Sequence, residues 1–184
     1  MREILIIVDM NNGFTREGVF KNSYQEALIP LISAKAKEFY ETKDKDVILV
    51  NESHEEESLE FSTFPAHCIK GSHEAEIVDE LKWLEEKHYT LEKNATMAFF
   101  APDMPEFLKR LDGAARIYIS GGVTDICVLE MAIPLRKYFD QNNLNVEVIV
   151  DSSLVDTYDA PWHNRDEYNE IAFKLMRQAG VKVI

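Results

Sequence analysis

Cys127 lies in Gly121-Gly122-Val123-Thr124-Asp125-Ile126-Cys127-Val128, directly after the apolar run Ala115–Ser120. A β-branched and aromatic run closed by two glycines predicts a buried strand entering a tight turn. The stretch that follows, to Phe139, predicts a helix. The thiol then falls at a helix start, beyond the carboxyl end of a strand. In open α/β sheets that crevice is where ligands bind. The positive end of the helix dipole favours thiolate over thiol. A cysteine activated by its position points to nucleophilic acyl transfer. That chemistry needs a base to take the thiol proton and return it to a leaving group.

Two ionisable residues stand at comparable places. Asp9 ends the apolar run Ile4–Val8, and Lys93 follows Tyr89–Leu91. Taken singly, Asp9 reads equally well as a cap for the turn at Asn11 and Asn12, and Lys93 as a solvated lysine. Their shared placement after strands of one sheet favours a common crevice with Cys127. A third group lies in the long irregular stretch 51–72, which holds Glu52, His54, Glu60, His67 and Cys68. Two histidines and two carboxylates can ligate a divalent ion, but a glutamate-rich loop is also an ordinary solvated one. Loops of this length in compact domains are usually functional or disordered, and the two histidines and Cys68 favour function here. Cys68 reads as a buried structural thiol. His163 reads as a surface or loop residue, with a contact to a neighbouring subunit as the alternative.

The elements that must position these side chains alternate. Strands are expected at Ile4–Val8, Asp46–Val50, Tyr89–Leu91, Arg116–Ser120, Val146–Val150 and Val181–Ile184. Helices are expected at Tyr24–Tyr40, Glu74–Leu84, Met104–Leu111, Thr124–Phe139 and Asp166–Gln178. Alternating β and α elements with continuously apolar strands predict a doubly wound, mostly parallel six-stranded α/β sheet with helices on both faces. Pro134 is expected to kink the fourth helix or loosen one of its turns. The 184 residues suit one domain, and no repeat or linker divides them.

Composition narrows the function classes. The net charge of −13 excludes a basic footprint for nucleic acid and disfavours an anionic membrane surface. Two cysteines are too few for a disulfide framework. With the first strand starting straight after Met1-Arg2-Glu3, no signal peptide and a cytoplasmic location are expected. No apolar run reaches the length of a membrane span.

Three ordered segments carry a family resemblance. Val8-Asp9-Met10-Asn11-Asn12-Gly13-Phe14 resembles the V-D-x-Q-N-x-F opening of the isochorismatase-like cysteine hydrolases. Lys93 with Phe99 and Phe100 resembles their K-x-x-x-S-A-F segment, and Gly122–Val128 their G-x-x-T-D-x-C-V. Within that superfamily the chain is most similar to the nicotinamidase group. The resemblance implies a triad of Asp9, Lys93 and Cys127. It also implies a cis peptide between Gly122 and Val123, and an oxyanion hole from the Val123 and Cys127 amides. It implies a divalent metal (zinc, iron or manganese) on Glu52, His54, Glu60 and His67. Glu52 departs from the group's usual aspartate by one methylene. Phe14 and Phe64 are implied as walls for a substrate ring, although any phenylalanine can equally be core. The activity implied is hydrolysis of a small amide, nicotinamide to nicotinate, by a dimer or tetramer. The rivals are a metal-independent amidase or carbamoyl hydrolase, and a non-catalytic binding protein on the same fold. Isochorismate hydrolysis is disfavoured, because the enzymes that perform it lack the cysteine.

Overall fold

The computed structural model describes residues 1–184. Six strands form one all-parallel sheet: β1 (Arg2–Val8), β2 (Lys45–Glu52), β3 (Thr90–Lys93), β4 (Ala114–Gly122), β5 (Glu147–Asp156) and β6 (Lys182–Val183). Their spatial order is β3-β2-β1-β4-β5-β6. The chain winds outward from β1 to one edge, then from β4 to the other. The β1/β4 junction is therefore the point where the winding reverses, the place that leaves a ligand crevice in such sheets.

Alternation along the strands divides the core. Ile4, Ile6 and Val8 of β1 pack with Ile48, Ile117 and Val148 on one face, against the later helices. Leu5 and Ile7 turn to the other face with Val47 and Leu49, against Ile32, Ala36 and Phe39. The helices are α1 (Asn12–Thr15), α2 (Ser23–Glu26), α3 (Ile29–Glu41), α4 (Met104–Arg110), α5 (Leu129–Gln141) and α6 (Arg165–Ala179). Asn164 caps α6 by accepting the Glu167 N–H, and Gly180 ends it in a left-handed conformation.

Three expected helices differ. The span 24–40 is broken into α2 and α3, because Pro30 has no N–H for the Glu26 carbonyl and its ring would strike that oxygen. The span 74–84 is not a helix but two short 3₁₀ turns. Its backbone is used elsewhere: Asn12 N–H donates to Glu76 O at 2.9 Å and Val78 N–H to Met10 O at 3.0 Å. These bonds tie 76–78 to the segment after β1 and override local helical tendency. The helix carrying Cys127 begins as a wide π turn, Thr124–Val128, in which Val128 N–H reaches back to Val123 O at 3.1 Å. Such turns concentrate at functional sites. α5 then continues through Pro134, and the widened turn lies ahead of the proline.

Gly121 fixes the approach of β4 to β1. Its φ is +109°, and a Cβ there would stand 1.9 Å from the Val8 carbonyl oxygen. Only glycine lets the strands meet in this register, which pairs Val8 with Gly121 and so sets Asp9 beside the turn leading to Cys127.

Candidate active site

Four consecutive strands of the sheet, β3, β2, β1 and β4, deliver one ionisable side chain each to the same crevice. Glu52 and Lys93 are register partners at the ends of β2 and β3. Asp9 follows β1 with φ of +50°, and Cys127 follows β4 within the π turn. Lys93 Nζ lies 2.9 Å from Asp9 Oδ2, 2.9 Å from Glu52 Oε1 and 3.9 Å from Cys127 Sγ. All four side chains are buried. Asp9, Glu52 and Cys127 offer donor atoms within 4.8 Å of one another, and the cation between the two carboxylates is the Lys93 ammonium itself. Asp9 Oδ1 has no hydrogen-bond partner, which leaves it open to a proton.

The electrostatics divide the roles. Burial opposes the charge on Lys93, but Asp9, Cys127 and Glu52 outweigh it and hold the ammonium well above the usual lysine range. Burial pushes Asp9 up to about 6; Glu52 adds to this, and Lys93 opposes it. The expected thiolate is not what this arrangement holds. Burial raises Cys127 well above the usual thiol range, and Asp9 and Glu52 add to it while Lys93 opposes. Two carboxylates already face one ammonium, so a third negative charge is disfavoured.

The Gly122–Val123 peptide is cis, as the resemblance implies. The Val123 N–H has no acceptor in the protein, and Val123 lines the crevice. The crevice is a cavity of about 500 Å³ with Asp9, Cys127, Phe14 and Phe64 in its walls. Phe20, which sequence did not single out, joins them into one aromatic wall. Its ring centroid lies 6.4 Å from Phe14, 6.2 Å from Phe64 and 4.7 Å from His67.

Beside this wall, His54, His67 and Glu52 converge. His54 Nε2 and His67 Nε2 are 3.2 Å apart, and Glu52 oxygens lie 3.3 Å from the first and 3.5 Å from the second. Nitrogen and oxygen ligands at ~2.0–2.2 Å from one metal are separated by roughly these distances. The outer ring nitrogens settle the tautomers. His67 Nδ1 donates to Pro65 O at 2.8 Å, and His54 Nδ1 to Asn94 Oδ1 at 3.4 Å. Both Nε2 lone pairs then face the same point, the arrangement that outer partners enforce on metal-binding histidines. The three residues fit a divalent ion. Glu60 stands outside the set: its two oxygens accept the Thr96 N–H at 3.1 and 3.3 Å, and it lines the crevice instead. Asn94, next to the lysine of the triad motif, carried no signal of its own.

Two other expectations change or sharpen. His163 is not a surface residue. It is buried, with Nε2 2.9 Å from Asp125 Oδ2 and Nδ1 3.0 Å from Tyr158 O, and is sandwiched between Tyr158 and Tyr168. It thereby fastens the segment before α6, whose Tyr158 and Trp162 line the crevice, to the turn that carries Cys127. Cys68 is buried and free, with its thiol held well above the usual range by burial; no disulfide joins it to Cys127.

Residues 3–184 match the model of the isochorismatase domain family. The chain belongs to that family. Nicotinamidase 1 of Arabidopsis thaliana is 29% identical over 175 residues, covering 86% of this chain and 71% of that protein. A probable inactive nicotinamidase of the same plant is 28% identical over 166 residues, covering 83% and 81%. The zinc complex of Pyrococcus horikoshii pyrazinamidase superposes with a TM-score of 0.81 at 26% identity, over 100% of this chain and 99% of that one. Family membership fixes the fold and does not by itself fix the activity. No helix is long and apolar enough to cross a membrane.

Proposed function

We propose that this chain is an amidohydrolase that converts a small heteroaromatic amide, nicotinamide, to its acid and ammonia through a cysteine thioester. The observation that carries the reading is the meeting of the Lys93 ammonium with Asp9, Glu52 and Cys127 in one aromatic-walled crevice. Cys127 Sγ attacks the amide carbon while its proton passes to Asp9. The oxyanion that forms is held by the Val123 N–H, with the Cys127 N–H beside it; losing one such donor costs about 3 kcal/mol. Asp9 returns the proton to nitrogen, the C–N bond breaks and ammonia leaves. Asp9 then takes a proton from water, whose oxygen attacks the thioester. The acid departs and the sulfur recovers a proton. Lys93 stays charged throughout and keeps Asp9 and Cys127 in place.

Phe14, Phe20 and Phe64 flank the ring of the substrate. Zinc, iron or manganese held by Glu52, His54 and His67 supplies a Lewis acid for a ring nitrogen, which is a positioning role. Protein purified without chelator is expected to contain close to one such ion per chain. His54→Ala and His67→Ala are each expected to lose it while keeping the wild-type circular dichroism; metal retained in both variants contradicts this assignment. Ammonia release from a panel including nicotinamide, pyrazinamide and acyclic amides tests the substrate class. Preference for the pyridine and pyrazine amides supports the reading. A metal-free protein that cleaves only acyclic or carbamoyl amides contradicts it.

A further inference from the structure

Gln25 follows the loop that carries Phe20, and nothing in the motifs points to it. It is 1% exposed, yet it lines the crevice. Its Nε2 donates to the Asp9 backbone carbonyl at 3.0 Å. That bond decides which end of the amide is which, since the reverse orientation would set oxygen against oxygen. Oε1 is left buried and without a partner. The side chain rests on Gly122, so closely that a Cβ there would stand 2.4 Å from Nε2. The next residue is Val123, whose N–H also has no acceptor.

An unpaired acceptor and an unpaired donor therefore flank Gly122, next to Asp9 and within the turn that leads to Cys127. Leaving a buried polar atom unpaired costs about 1–3 kcal/mol, so Gln25 Oε1 is set for a ligand group, and the Val123 N–H faces the crevice with no protein acceptor. A planar primary carboxamide offers the complement, with an oxygen for Val123 N–H and an N–H for Gln25 Oε1. Building on the amidohydrolase reading, we infer that Gln25 is a specificity-determining residue. Its Oε1 accepts an N–H of the scissile carboxamide, turns the carbonyl oxygen toward Val123, and selects primary amides over esters. A site built to bond an N–H disfavours an analogue that lacks it, because the acceptor is then left unpaired.

The test compares kcat/KM for nicotinamide and for methyl nicotinate, which share the acyl group but differ in the N–H. In Gln25→Met, which also removes the bond to the Asp9 carbonyl, both hydrolyses are expected to fall, amide hydrolysis by roughly tenfold more than ester hydrolysis. A merely structural role would lower both together, and equal losses overturn the inference. A second measurement needs no variant. Nicotinamide is expected to compete against ester hydrolysis about tenfold more strongly than 3-acetylpyridine, whose methyl group replaces the amide nitrogen. Equal competition overturns the inference even if Gln25→Met does not fold. Wild-type protein that hydrolyses neither substrate would instead sink the amidohydrolase reading itself.

Discussion

Lys93→Met is expected to destabilise the protein by about 3–5 kcal/mol, the usual consequence of removing one partner from a buried ion pair. Lys93 is almost fully buried, with two carboxylates at 2.9 Å. Without it, the buried Asp9 and Glu52 carboxylates face each other with no ammonium between them. A loss of this size is a large share of the ~5–15 kcal/mol that holds a domain together. Urea denaturation would read it as a lower midpoint with an unchanged slope. One carboxyl in the variant must take up a proton, so its folded-state pKa is raised. Stability of that kind is present at low pH and disappears as pH rises through the folded value. The variant is therefore expected to recover part of its deficit between pH 7 and pH 5. Wild-type stability in Lys93→Met across that range would mean that the lysine is not the keystone of the cluster.

Asp9→Asn is expected to keep the fold and to lower kcat by about 10²–10⁴, the usual worth of a positioned base. The change keeps the volume of the side chain and removes the group that shuttles the proton. Lys93 retains Glu52 as a partner, so the ammonium is not stranded. Asp9 is pushed up to about 6, mainly by burial. As a base it acts only when ionised, so kcat/KM is expected to rise through about pH 6 and then level off. That acid limb is expected to be absent from whatever activity Asp9→Asn retains. The stability sign is opposite to the activity sign. A carboxyl whose folded pKa is raised stabilises the fold below the ordinary aspartate range, and that contribution is lost as pH rises through about 6. Asp9→Asn is thus expected to gain on wild type in thermal midpoint as pH rises from 4 to 7. An unchanged pH profile in the variant would assign the limb to another group.

Much of this arrangement was legible in the chain. Continuous apolar runs marked the strands because both faces of a parallel sheet are covered, and all six appear, with boundaries shifted by a few residues. The residues following those runs marked the crevice because strand ends converge at the winding reversal. Other features depend on contacts that periodicity does not carry. Residues 74–84 are apolar enough for a helix, but their amides and carbonyls bond the segment after β1. Phe20 and Gln25 reach the crevice through the path of the loop between α1 and α2, which has no periodic signal. His163 is a loop residue as expected but looked exposed, because only the fold places Asp125 and two tyrosine rings around it. The thiolate expected from helix position was overridden by burial and by two neighbouring carboxylates, of which Glu52 arrives from a different strand.

The covalent route can be observed directly. Protein mixed with nicotinamide, quenched in acid during turnover and digested would be searched by mass spectrometry for a nicotinoyl group on the peptide containing Cys127. The expected result is that adduct on Cys127 alone, at a level that rises and then decays as substrate is consumed, with no adduct and no ammonia from Cys127→Ala. Ammonia release by Cys127→Ala at a rate near wild type would contradict the thioester mechanism outright.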